Sequence, residues 1–126
     1  MASFPGNNDR LMDKLRTLQA RYRDDLAQKL AALDAAWRSV DRDDCSSDEL
    51  RDFHLLLHRL AGSGATFGFV AISEISQKLE EIVLRVLNDG ASLDNSDRRT
   101  IRDGLDSLQD AAHKPEPIAN ATPTPD

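Results

Sequence analysis

Residues 8–40 read NDRLMDKLRTLQARYRDDLAQKLAALDAAWRSV, with apolar side chains at Leu11, Leu15, Leu18, Tyr22, Leu26, Leu30, Leu33, Trp37 and Val40. Every step is three or four residues, which gathers them on one face of an α-helix at 3.6 residues per turn. The run is long enough for one long helix or for two that meet between Tyr22 and Asp25, and we expect two. Either way this is the amphipathic pattern of a helix that buries one face against others.

Further helices follow. The segment DRDDCSSDE (41–49) has no apolar stripe, and Ser46 with Glu49 three residues on reads as a capping box that opens a new helix. That helix carries Leu50, Phe53, Leu57, Leu60 and Gly64 on one face, and the three glycines at Gly62, Gly64 and Gly68 are expected to break its regularity. From about Val70, Ile72, Ile75, Leu79, Ile82, Val83 and Val86 form the next stripe, ended by the turn Asn88-Asp89-Gly90. Asn95 or Ser96 caps the last helix, whose stripe of Ile101, Leu105 and Leu108 is interrupted by Gly104. No alternating pattern calls for a strand. We therefore expect an all-α, up-and-down four-helix bundle with an additional N-terminal helix, spanning residues 8–113. Residues 1–7 are expected to be disordered, as is the tail 114–126, where PEPIANATPTPD has four prolines in twelve residues.

Composition narrows the function. With 126 residues the chain is one domain, large enough for an ordinary apolar core. Its one cysteine, Cys45, excludes a disulfide framework and a cysteine-based zinc module. Sixteen Lys and Arg against 22 Asp and Glu give a net charge of −6 with no basic cluster, which argues against nucleic acid. No apolar run nears the ~20 residues of a membrane span, and MASFPGNNDR lacks a signal-peptide core, so we expect a soluble, cytoplasmic protein without membrane contact.

The helix opened by Ser46 has an unusual second face. At about 100° per residue from Leu50, its core residues lie between roughly 280° and 340°, whereas His58 falls near 80°. Arg51, Gly62, Leu55 and His54 project to the same side as His58. A solvated face is normally filled with charged side chains; here a histidine sits among a leucine, a glycine and the small Ala61 and Ala65, which suggests a docking surface.

The run His58-Arg59-Leu60-Ala61-Gly62-Ser63-Gly64-Ala65-Thr66-Phe67-Gly68, with Leu79-Glu80 one helix later, resembles the signature of histidine-containing phosphotransfer (HPt) domains. That pattern is H-x-L-K-G-S-S, a glycine ten residues after the histidine, and Leu-Glu near the middle of the next helix. His58, Leu60, Gly62, Ser63, Gly68, Leu79 and Glu80 match it, and the resemblance extends to helix order over about residues 8–113. It departs at Ala61, where the family usually has Lys, and at Gly64, where a second small hydroxyl residue is common.

The resemblance implies a phosphocarrier of a two-component multistep phosphorelay. His58 would be the phosphorylated nucleophile, exchanging its phosphoryl group with an aspartate of a response-regulator receiver domain; a hybrid histidine kinase is a further partner. Glu80 would accept a hydrogen bond from the imidazole, Gly62 and Ser63 would support the site, and Arg51 or the less well aimed Arg59 would supply the charge that Ala61 lacks. His54, Leu55, Ala61 and Ala65 would form the docking face, with Gly68 structural. An exposed imidazole of ordinary pKa near ~6.5 is mostly neutral at pH 7, as a nucleophile must be. No cofactor is expected on this chain, with Mg²⁺ on the partner receiver. No P-loop or nucleotide loop is present, so ATP-dependent kinase activity is not expected.

Rival readings have weaker support. His54 and His58 have the i, i+4 spacing of a metal pair, but HLLLH lacks a metalloprotease glutamate and no third ligand lies near, so no metal is expected. A non-catalytic adaptor would use the same helix face to bind a receiver or kinase without turning over phosphate. The run from Leu11 to Val40 also suits a coiled-coil dimer, although packing within the bundle explains it and we expect a monomer.

Overall fold

A computed structural model describes residues 4–90 and 92–113. Four helices account for nearly all of them: α1 (Phe4–Val40), α2 (Ser47–Thr66), α3 (Val70–Asp89) and α4 (Asn95–Ala112). Each packs on its chain neighbours, and α1 closes the ring against α4. Short connections make successive helices antiparallel, which gives an up-and-down four-helix bundle.

The expectation of an additional N-terminal helix does not hold: α1 is one unbroken helix of 37 residues, without the junction expected between Tyr22 and Asp25. No Gly or Pro lies between Leu11 and Val40 to force a break. What changes near Tyr22 is burial. Tyr22, Leu26, Leu30, Leu33, Trp37 and Val40 are in the core, whereas Leu11, Leu15 and Leu18 are 57%, 37% and 43% exposed. At 1.5 Å per residue α1 is about 55 Å long against about 30 Å for its neighbours, so its first turns have nothing to pack against. The helix begins at Phe4, inside the segment expected to be irregular; residues 1–3 and the tail 114–126 lie outside the described residues.

The helix boundaries follow local chemistry. Ser46 accepts a hydrogen bond from the Glu49 amide at 3.1 Å while Glu49 Oε1 accepts from the Ser46 amide at 2.9 Å, which is the expected capping box. α4 is capped one residue earlier than expected, by Asp94, which accepts from the Asp97 amide at 2.7 Å. Gly90 ends α3 in the left-handed conformation at φ 67°. α2, by contrast, does not lose regularity at Gly62 and Gly64 and runs on to Thr66; only Gly68, at φ 85°, makes the turn.

Two of the helical glycines allow close packing. A Cβ on Gly64 would lie 3.1 Å from the Ser73 amide nitrogen and 3.2 Å from the Phe69 carbonyl oxygen, so this glycine lets α2 meet the start of α3. A Cβ on Gly104 would lie 2.6 Å from a methyl of Leu79, so the gap in the α4 stripe receives a core leucine. Asp41, just after α1, binds Arg98 and Arg102 in the first turns of α4 at 2.6 Å each and ties α1 to α4 at one end of the bundle.

Candidate functional site

The α2 and α3 backbones approach closely, with the buried Ser73 hydroxyl donating to the Ala61 carbonyl at 2.7 Å. Further along this interface lies Glu80, near the middle of α3 and only 17% exposed. Its Oε2 accepts a hydrogen bond from His58 Nδ1 at 2.7 Å. A carboxylate only accepts, so Nδ1 carries the proton and the lone pair of the neutral ring is on Nε2. The His58 side chain is 67% exposed. The pair thus presents the Nε2 edge of the imidazole to solvent, with the ring held at Nδ1 from behind.

His54, one turn earlier on α2, faces the same carboxylate. Its Nε2 is 3.2 Å from Glu80 Oε2, and its ring lies 6.2 Å from that of His58 with 18° between the planes. It was expected on the docking face but is only 23% exposed. Among the described residues no group of three or more His, Cys, Asp or Glu is arranged to hold a metal ion.

Other expected residues divide between two sides of α2. Leu55, Gly62 and Ala65 are exposed at helical spacing around His58, and a Cβ on Gly62 would meet nothing within 4 Å. Arg51 is exposed and pairs with Asp48 at 3.6 Å. Arg59 projects toward a groove of about 360 Å³ shared with Gln28 and Lys29 of α1, on the side of α2 away from Glu80.

Besides His54, two further residues are not where they were expected. Ala61 is buried, 6% exposed, so it is no part of an exposed docking face. Its azimuth near 20° borders the core stripe, and the approach of α3 covers it. Ser63 does not face His58: five residues on, at about 500°, it points toward α1, where its hydroxyl and that of Tyr22 lie 2.6 Å apart. Burial pushes the Tyr22 hydroxyl above its ordinary pKa, with the bond to Ser63 opposing that shift.

That contact belongs to a cluster which sequence reading missed. Tyr22 stacks on Phe67 at 4.9 Å, Phe69 lies 5.2 Å away, and the Gln19 amide donates to the Phe67 carbonyl at 3.2 Å. These contacts hold the α2–α3 turn against α1. Five residues from two distant stretches, Gln19 and Tyr22 of α1 and Ser63, Phe67 and Phe69 at the α2–α3 turn, converge there, and the only local signal was a tyrosine in a leucine stripe.

No helix of the described residues is long and apolar enough to cross a membrane. Comparisons with curated proteins and with solved structures give no match. The Hpt domain family matches residues 17–113, which takes in the bundle from just before Tyr22 to the end of α4 and includes His58 and Glu80. With that match over most of its length, and an exposed histidine held by a glutamate of the next helix, the chain belongs to the Hpt domain family, whose members carry out histidine phosphotransfer in phosphorelays.

Proposed function

We propose that His58 is the phosphoryl carrier of this chain and exchanges its phosphoryl group with an aspartate of a response-regulator receiver domain. The observation that carries this reading is the 2.7 Å contact of Glu80 Oε2 with Nδ1 of an exposed histidine, which leaves Nε2 as the nucleophilic nitrogen. In the forward step the Nε2 lone pair attacks phosphorus, the bond from phosphorus to the aspartyl oxygen breaks, and the carboxylate departs with that electron pair. The ring gains positive charge as the N–P bond forms, and Glu80, accepting from Nδ1–H, stabilises it. Transfer to a second receiver is the reverse. The Mg²⁺ that offsets phosphoryl charge belongs to the receiver, and this chain supplies position and nucleophile.

Leu55, Gly62 and Ala65 form the proposed docking surface around His58, with Arg51 the nearest cation on that face of the helix. A hybrid histidine kinase is a second partner class, and the role implies a cytoplasmic monomer without ATP-dependent kinase activity of its own. Incubation with phosphorylated receiver domains tests this: the label should enter the wild-type chain, be acid-labile and alkali-stable, and be absent from His58→Gln. Full labelling of His58→Gln, or mapping of the label to His54, refutes the assignment.

The buried Ala61, in place of the family's usual lysine, favours one second reading, that of a receiver- or kinase-binding adaptor that does not turn over phosphate. Tight binding of a phosphorylated receiver with no transfer of label identifies the adaptor.

A further inference from the structure

We infer that His54 is a positioning residue, holding the Glu80 carboxylate from the inner side of the site so that Glu80 can fix the tautomer of His58. The inference rests on the reading of His58 as the phosphoryl carrier. One oxygen, Glu80 Oε2, faces two imidazole nitrogens from consecutive turns of α2, His58 Nδ1 at 2.7 Å and His54 Nε2 at 3.2 Å.

The two contacts differ in kind. His58 is largely in solvent, where a polar contact is screened and its partner is free to turn away. His54 Nε2 is shielded from solvent and has no aligned hydrogen-bond partner, and Glu80 Oε2 is the acceptor beside it. A shielded donor left unpaired is costly, and a small rotation of the ring or the carboxylate would align the pair. Only the Nε2–H form of His54 can donate there; the other tautomer would aim a lone pair at a carboxylate oxygen. Among the described residues no Arg or Lys pairs with Glu80, and the two histidines are the side chains its carboxylate faces.

A flexible glutamate side chain held only by an exposed imidazole loses rotamer freedom for a weak contact. A second, inner contact lowers that cost. His54 therefore acts through Glu80 and need not touch the phosphoryl group. Its spacing of four residues from His58 places both rings on the same side of α2, against the same α3 residue.

Long-range proton–nitrogen spectra of the ¹⁵N-labelled chain at about pH 8, where imidazoles are mainly neutral, report the tautomers directly. In wild type His54 should be the Nε2–H form and His58 the Nδ1–H form. His54→Phe keeps a ring but removes the donor, and should lower the Nδ1–H to Nε2–H ratio of His58 by up to about fivefold. His54→Gln restores an N–H donor and should recover most of the ratio. An Nδ1–H form of His54 in wild type overturns the inference without any variant. So does an unchanged His58 ratio in a folded His54→Phe chain, or an equal loss in both variants. The carrier reading fails separately, if wild-type His58 takes up no phosphoryl label while these spectra stand.

Discussion

Replacing Gly62 separates the two reasons a helix keeps a glycine. A Cβ there would meet nothing within 4 Å, so packing does not require the glycine. A glycine inside a helix costs about 1 kcal/mol relative to alanine, and Gly62→Ala should recover much of that and raise the thermal midpoint by about 4 °C. Gly62 stands one turn beyond His58 on the exposed face of α2, where a longer side chain would lie beside the imidazole. Because misplacement of reacting groups by about 1 Å can cost on the order of 100-fold in rate, Gly62→Gln should slow transfer from a phosphorylated receiver by at least about tenfold. Its midpoint should stay within a few degrees of wild type. Thermal melts by circular dichroism and rapid-quench transfer assays measure the two effects. A fall in the midpoint of Gly62→Ala, or wild-type transfer by Gly62→Gln, shows that this glycine does not clear space for a docked partner.

Three further variants test the frame around the site. Gly64→Ala should destabilise the bundle by about 1–3 kcal/mol in urea titrations, because its Cβ would press on the Ser73 and Phe69 backbone. Tyr22→Phe should cost about 1 kcal/mol by losing the 2.6 Å bond to Ser63, yet leave phosphotransfer unchanged because that bond faces α1. Hydrogen bonds from Arg102 and then Arg98 hold Asp41 below its ordinary pKa despite some desolvation, so the stability it adds is full above that value and is lost as the pH falls through the lower folded one. Asp41→Asn should accordingly be less stable than wild type at pH 7, and the gap should close as the pH falls below about 4.

Periodicity located the helices because burial on one face repeats every three to four residues, and the Ser46–Glu49 box marked the start of α2 because its donors and acceptors are local in sequence. The same periodicity could not show where α1 stops being packed: Leu11, Leu15 and Leu18 keep the spacing of Leu26 and Leu30 and differ only in having no neighbour. His58 and Glu80 were legible through the motif and the helical azimuth. Ala61 and Ser63 were misplaced because a motif read as a string does not say which of its residues turn toward α3 or α1. The Gly64 and Gly104 contacts depend on how close two helices come, which no single-helix pattern encodes.

The central claim is that Glu80 fixes His58 as an Nε2 nucleophile for phosphoryl transfer. Its most direct measurement is the site and position of phosphorylation, obtained by phosphorus and nitrogen spectroscopy on the chain labelled by a phosphorylated receiver domain. The account predicts a single phosphoramidate on His58 Nε2, with Nδ1 still protonated against Glu80. Phosphate on His58 Nδ1, or on any other residue, contradicts it.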